Sequence, residues 1–415
     1  MKILLSAYAC QPDLGGEEGV GWNTVVAIAQ HHQVWVLTRT YHRPEIREFL
    51  ARTPIPNLHV IYVNPFRPND ERRPRRAWAQ LYYYFWQIGA YVKARSLHRE
   101  IRFDLVHHVT HVKYWSPSFV SLLPVPFLWG PVGGGEIVPL AFRQDLSDHG
   151  RRHECQRDIA HRLGELDPFV RWTVRQATLA LATTRETAER LHHLGVRDIR
   201  IFSQVGLSAD EIEHLGRTPP QPEHPIRFIS IGRLLSWKGF HLSLKAFAIA
   251  QIDRAQLWIV GHGSEGTRLK ALSRQLGIAD RVCFWGYLPR EQTLAKLQQC
   301  HVLLHPSLHD SGGLVCSEAM ATGRPPICLD LGGPGTQVTE ETGIKIAATT
   351  PDRVVGEIAE AMVRLAQDPQ LRDRLGRAGQ KRVREVYDWN VKAQFFNGLY
   401  RDIVEKHSSR SQIRS

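Results

Sequence analysis

Between residues 305 and 335 the chain reads HPSLHDSGGLVCSEAMATGRPPICLDLGGPG, with Asp310 and Glu318 separated by seven residues. Gly312, Gly313 and Leu314 lie between the two carboxylates and open what reads as a helix. A glycine-rich loop entering a helix offers unpaired backbone N–H groups and the positive end of the helix dipole, which suits a phosphate. Glu318, one turn further in, repels a phosphate but can accept hydrogen bonds from a sugar diol. A phosphate site beside a diol site describes a nucleotide. Each carboxylate alone has a plainer reading, Asp310 as a turn or capping residue and Glu318 as an ordinary helix carboxylate.

Other groups of the same half could join them. IRFISIGRLLSWKGFHLSLKAF reads as a strand ending at Gly232 and a helix from about Gly239, with Phe240, Leu244 and Phe247 on one face. Arg233 and Lys238 fall in the connecting loop, at the carboxyl end of the strand, where doubly wound sheets bind ligands. One planar fork and one point charge suit a diphosphate, or they are solvated loop charges. Leu257–Val260 runs into Gly261-His262-Gly263, and Val282–Trp285 into Gly286-Tyr287. Such strand-end glycines let a ligand approach the backbone closely, though many such turns contain glycine.

These residues need a scaffold, and the apolar pattern supplies one. Short β-rich runs recur at Ile3–Leu5, Val34–Leu37, Val60–Val63, Leu105–Val109, Phe127–Trp129, Leu179–Ala182 and Ile199–Phe202. They resume at Phe228–Ile231, Leu257–Val260, Val282–Trp285, Val302–Leu304 and Ile327–Leu329. Helical patterns separate them, as in buried parallel sheets with crossover helices. A chain of 415 residues exceeds one ordinary core, so the expectation is α/β with two doubly wound domains. The boundaries are placed at 1–215 and 222–388, with the joint in the Pro-rich GRTPPQPEHP, residues 216–225. Residues 389–415 read as a C-terminal helix (Phe395, Leu399, Ile403) packing back on the first domain, with a frayed tail.

Composition excludes several classes. With 43% hydrophobic and 23% charged residues the chain is globular, and no apolar run approaches the ~20 residues of a membrane span. MKILLSAYAC is cut short by Gln11, Pro12 and Asp13 and reads as a buried first strand rather than a leader. Six cysteines without a CxxC pair or metal spacing read as reduced thiols of a cytoplasmic protein. No GxGxxG follows the first strand, which removes a nicotinamide dehydrogenase.

GRLLSWKGF followed by HPSLHDSGGLVCSEAMATGRPPI resembles the retaining GT-B glycosyltransferases of family 4. SAYACQPDLGGEEGVGWN, FDLVHHVT and FLWGPVGGGE fall in the order that a bacterial subgroup of that family shows, so the resemblance spans nearly the whole chain. It implies the GT-B fold, two Rossmann-like domains facing an interdomain cleft, the first for the acceptor and the second for the donor. It implies hexosyl transfer from an NDP-sugar, with retention, to a sugar or lipid-linked hydroxyl in polysaccharide, glycolipid or cell-envelope synthesis. It also implies that Arg233 and Lys238 hold the diphosphate and that Glu318 binds the ribose diol. The amides of Gly312, Gly313 and Leu314 would touch phosphate or sugar, with Gly261, Gly263 and Tyr287 near the base. Asp310 would bind donor-sugar hydroxyls, although most of the family carries Glu there.

The same resemblance implies that Gly15 and Gly16 meet donor phosphate and acceptor, with Glu17 and Glu18 as acceptor partners or as solvated carboxylates. A functional histidine falls to His107 or His108, since Val109 occupies the usual place. Gly133-Gly134-Gly135-Glu136 would wall the site. No DxD motif lies near these residues, so no obligatory metal or other cofactor is expected. A sugar-nucleotide epimerase fits the Asp310–Glu318 run less well.

The net charge is +12, and residues 66–102 hold 9 Lys/Arg against 3 Asp/Glu. Leu81, Phe85, Ile88 and Val92 are spaced as a core-facing helix stripe, with Trp78, Tyr82, Tyr83, Trp86 and Tyr91 around the other faces. Burial in the first domain accounts for this segment, or contact with an anionic bilayer or lipid-linked acceptor does. The second reading places a cytoplasmic protein peripherally at the inner membrane face. It also defines the alternative function, a non-catalytic GT-B-like scaffold on membrane or polyanion. No RNA-binding signature accompanies the patch, which ranks nucleic acid below membrane.

Overall fold

The computed structural model describes residues 1–66, 79–217 and 224–414. Arg67, Arg72, Arg73, Arg75, Arg76 and Trp78 lie outside them, as does the 218–223 part of the expected joint. The chain forms two compact units, each a Rossmann-like domain built on one parallel sheet. The first unit holds β1 (Lys2–Ala7), β2 (Gln33–Arg39), β3 (Leu58–Val63), β4 (Leu105–Thr110), β5 (Phe127–Val132), β6 (Ala177–Ala182) and β7 (Ile199–Ile201). The second holds β8 (Ile226–Ile231), β9 (Ala255–Val260), β10 (Val282–Gly286), β11 (Val302–His305), β12 (Pro326–Leu329) and β13 (Ile344–Ile346). Every expected strand is present; β13, three residues of IKI, is too short to carry a period and was not expected.

Strand order is β3-β2-β1-β4-β5-β6-β7 in the first sheet and β10-β9-β8-β11-β12-β13 in the second. In each sheet the order reverses between the first strand and the fourth. There adjacent crossovers leave on opposite faces, and the strand ends stay open between them. In the second unit the opening falls between β8 and β11, and in the first between β1 and β4.

The units do not divide at residue 215. Residues 136–159 and 205–388 form the second, while 1–135, 160–204 and 389–415 form the first. The 136–159 segment is anchored to the second unit by named bonds. Ser236 Oγ accepts from the Ser147 amide at 2.9 Å, Arg268 Nη2 donates to the Asp145 carbonyl at 2.9 Å, and His153 stacks on Trp237 at 4.2 Å. None of this follows from sequence spacing, because the partners lie more than eighty positions away. The C-terminal helix, Trp389–Arg414, places Phe396, Leu399, Tyr400 and Ile403 in the core of the first unit.

The Ala79–Ile101 helix packs the other way round from the expectation. Tyr83, Trp86, Gln87, Ala90 and Ala94 are buried, and Leu81, Phe85, Ile88 and Val92 are exposed. Polar handles explain the choice. Trp86 Nε1 donates to the Val63 carbonyl at 3.1 Å, Tyr83 OH to the His111 carbonyl at 3.1 Å, and Gln87 Nε2 to Tyr83 OH at 2.6 Å. Ala90 and Ala94 add little bulk on that face, so the aromatic side packs while its polar atoms stay bonded.

Candidate functional site

The opening between β8 and β11 collects most of the expected groups. Beyond β8 the chain passes Gly232 and Arg233 into a short turn, Ser236–Lys238. Beyond β11 it passes Pro306 to Asp310 into the Leu314–Ala321 helix. The two loops meet: Lys238 Nζ contacts Asp310 Oδ2 at 2.5 Å, and His305 Nε2 reaches the same oxygen at 3.2 Å. Asp310 Oδ1 accepts from the amides of Gly312 and Gly313 at 3.2 and 3.1 Å. Burial pushes the Asp310 carboxyl up, but Lys238 and His305 outweigh it and hold it far below the usual range. Asp310 therefore organises the loop, with both oxygens engaged, and two of the amides expected for phosphate are turned to it. Arg233 is exposed, with no side-chain partner among the described residues.

Gly313 stands in the left-handed region at φ 70°, and a Cβ there would lie 2.9 Å from Pro334 Cγ. Gly261 and Gly263 have a backbone explanation as well. A Cβ at 261 would lie 1.9 Å from the Gly232 carbonyl oxygen, and one at 263 would lie 2.4 Å from that of Leu234. The two glycines let the β9 loop lie against the β8 loop, where the Leu234 amide donates to the His262 carbonyl at 2.9 Å. Tyr287 is exposed and meets His262 edge-on at 5.4 Å.

Glu318 is buried at 5% exposure and ion-paired through Oε1 to Arg290 Nη1, while Arg290 Nη2 reaches Glu211 Oε1 at 3.1 Å. Burial raises the Glu318 carboxyl above its ordinary value, and Arg290 offsets only part of that. Glu211 is itself held in a capping box with Ser208. Sequence reasoning missed Arg290 and Glu211; no periodicity links positions 79 and 28 residues from their partners.

Two further buried carboxylates come from the 136–159 segment. Ser311 Oγ donates to Glu136 Oε2 at 2.7 Å, and Glu154 Oε1 lies 3.3 Å from both His309 Nδ1 and His153 Nδ1. Burial pushes Glu154 up, yet its bond to His309 prevails and brings it down to about 2. Asp310 is thus flanked by His309 and Ser311, each fixed by an acid from another part of the chain.

In the first unit the opening between β1 and β4 gathers a different set. Gly15 and Gly16 are exposed at the start of the Gly16–Ala29 helix, and a Cβ on either would meet nothing within 4 Å. Glu17 Oε1 accepts from the His111 amide at 2.5 Å, and Oε2 lies 3.3 Å from His111 Nδ1. Glu18 lies 3.8 Å from Arg39, whose Nε donates to the Tyr8 carbonyl at 2.9 Å. The Tyr8 ring lies 4.9 Å from both Tyr83 and His111.

His107 and His108 are held by protein partners in this arrangement. His107 has Nδ1 2.6 Å from Tyr400 OH and Nε2 2.5 Å from the Gly130 carbonyl. His108 has Nδ1 2.7 Å from Ser118 Oγ and Nε2 3.5 Å from Tyr83 OH. Both are fully buried, which lowers them to about 4 and about 3, and neither has a ring nitrogen left for a substrate. The histidine nearest the glycine pair is His111, at φ 62° just beyond β4. Its signal in the sequence was position at a strand end; its pairing with Glu17, 94 residues away, was not legible.

Residues 213–382 match the family Glycosyl transferases group 1. The chain is similar to the group 1 glycosyltransferases over that stretch. Its fold is GT-B: a sucrose-phosphate synthase from Thermosynechococcus elongatus superposes with a TM-score of 0.65, covering 98% of this chain and 99% of that one at 20% identity. Anabaena Alr3699/HepE, solved in complex with UDP and glucose, gives 0.60 over 96% and 99% at 17% identity. The lipopolysaccharide core biosynthesis glycosyltransferase LpsD of Rhizobium meliloti is 29% identical over 225 residues, 54% of this chain. That match spans 63% of the length of LpsD. The β8–β11 opening and the Arg290–Glu318 pair fall within the matched 213–382 stretch, and Glu211 lies just before it.

Proposed function

We propose that the protein moves a sugar, a hexose by expectation, from a nucleotide-diphosphate sugar to a hydroxyl acceptor with retention. The products belong to polysaccharide, glycolipid or cell-envelope synthesis. The observation that carries this reading is the contact of Lys238 with Asp310 ahead of a glycine-led helix, with Arg233 on the same β8 loop, at one strand-order reversal. Negative charge builds on the departing diphosphate as the sugar becomes oxocarbenium-like. Fixed cations at that place stabilise charge as it develops. Asp310 fixes Lys238 but occupies one of its three N–H donors, leaving the others for phosphate oxygens. Arg233 supplies a second cation that has no side-chain partner to give up among the described residues. Glu318, fixed through one oxygen by Arg290, offers the other to the ribose diol. The leaving phosphate itself would take the acceptor proton. Two side-chain cations do the neutralising, so the reading needs no resident metal.

Relatives support the reading by what they are. HepE was solved with UDP and glucose, and LpsD is a lipopolysaccharide core enzyme, which makes UDP-sugars and lipid-linked saccharides the first substrates to try. The test is transfer by the wild type and by Glu318→Ala and Lys238→Ala across a donor panel with chelator present. Loss of transfer in both variants, with unchanged circular dichroism, is expected. Wild-type rates in both would overturn the reading.

A further inference from the structure

We propose that the outer face of the Ala79–Ile101 helix, together with the aromatic edge of the Pro168–Gln176 helix, docks the first unit on an anionic lipid bilayer. Leu81, Phe85, Ile88 and Val92 are 49%, 40%, 44% and 63% exposed, opposite the buried Tyr83–Trp86–Ala90–Ala94 side. A surface helix ordinarily puts polar residues on that line. Here three turns of it are apolar, and the same line continues at i+3 and i+7 from Val92 as the exposed Arg95 and Arg99.

The apolar line extends onto a second element. Tyr84 meets Phe119 at 5.4 Å, and Phe119 meets Phe169 at 5.4 Å. Phe169 and Trp172 are exposed on the Pro168–Gln176 helix, which also carries the exposed Arg171 and Arg175. Phe66 adds another exposed ring 5.3 Å from Phe85. Neither residues 81–99 nor residues 168–176 contain a single Asp or Glu. An apolar surface rimmed mainly by cations, with Glu100 and the helix-capping Asp167 at the ends of the two segments, identifies its partner by chemistry. Aliphatic side chains enter the acyl boundary, Tyr and Trp suit the interface, and Arg and Lys meet headgroup phosphates. A nucleic acid would match the cations and leave Leu81, Phe85, Ile88 and Val92 in water. No helix among the described residues is long and apolar enough to cross a membrane, so the contact lies in the interfacial plane.

The inference does not rest on the transferase reading, because neither nucleotide nor sugar enters its test. Full-length protein is floated with phosphatidylcholine vesicles with and without phosphatidylglycerol, at low and high salt. Wild type is expected to float with the phosphatidylglycerol vesicles and to release as salt rises. Phe85→Ser with Ile88→Ser is expected to weaken partition at least about tenfold, at an unchanged melting temperature. Arg95→Glu with Arg171→Glu is expected to remove the preference for phosphatidylglycerol. Failure of the wild type to float at low salt overturns the proposal, as does flotation indifferent to the serine pair. A dimer in analytical ultracentrifugation that the serine pair abolishes would assign the face to a second copy instead. Displacement from the vesicles by a single-stranded oligonucleotide would assign it to nucleic acid.

Discussion

At the ends of β8 and β11 the second unit brings together a lysine, an aspartate and a histidine in direct contact, with the exposed Arg233 on the same β8 loop as the lysine. At the ends of β1 and β4 the first unit brings together Tyr8, Glu17 and His111 beside two glycines with open space around them. The same topology produced both openings, yet the second unit's holds a lysine fixed against an aspartate, while the first unit's adds to its Glu17–His111 and Glu18–Arg39 pairs an uncrowded glycine loop. Charges fixed in advance suit a group whose charge must be met at once, such as a leaving diphosphate. A glycine loop without neighbours suits a group whose shape varies, such as an acceptor. The second opening is therefore expected to govern donor chemistry and the first to govern acceptor use.

The sharpest way to break this contrast is Lys238→Ala, which removes one preset cation. Transfer is expected to fall about a hundredfold to a thousandfold in kcat, read by donor turnover. A fall in acceptor affinity alone would erase the distinction between the openings. Glu318→Gln comes next. It should weaken nucleoside diphosphate binding by roughly tenfold, the loss of one charged hydrogen bond. Because burial raises this carboxyl, the native state binds its proton more readily than the unfolded chain does. Its charge thus opposes folding at neutral pH, and the melting temperature of the variant should hold or rise. A large drop would mean that the pair with Arg290 is chiefly structural.

On the other side, His111→Ala is expected to raise acceptor KM several-fold while nucleotide affinity stays put. Equal effects on both ligands would contradict the division of labour. The smallest effect concerns His107 and His108. Burial lowers both below the ordinary value of 6.5, so between about pH 6.5 and about pH 4 the unfolded chain binds more protons than the native one. The stability they hold is complete above about pH 6.5 and falls as the pH drops. Melting curves across this range should be flatter for His107→Asn, with nucleotide affinity unaltered. A pH-independent wild-type melting temperature would contradict their burial as neutral rings.

What the sequence revealed followed from locality. Asp310, the glycines and Glu318 sit on one short stretch, and strand-end loops such as that of Arg233 and Lys238 are placed by the apolar runs around them. Pairings across tens of positions were hidden: Arg290 with Glu318, Glu154 with His309, Glu17 with His111. So was the path of residues 136–159 into the second unit, since its anchors at Ser236, Trp237 and Arg268 lie far along the chain. The Ala79–Ile101 helix misled for a different reason. Two faces of it are apolar, and only hydrogen-bond partners for Trp86, Tyr83 and Gln87 decide which one packs. Periodicity sees spacing but not partners.

The central claim is that the β8–β11 opening holds the diphosphate of a nucleotide. Calorimetric titration of UDP, GDP and ADP into wild type and Lys238→Ala tests it most directly. One nucleotide should bind the wild type and bind the variant at least about tenfold more weakly, the loss of one charged contact. Equal affinity in the two proteins, or no heat from any of the three nucleotides, would contradict it.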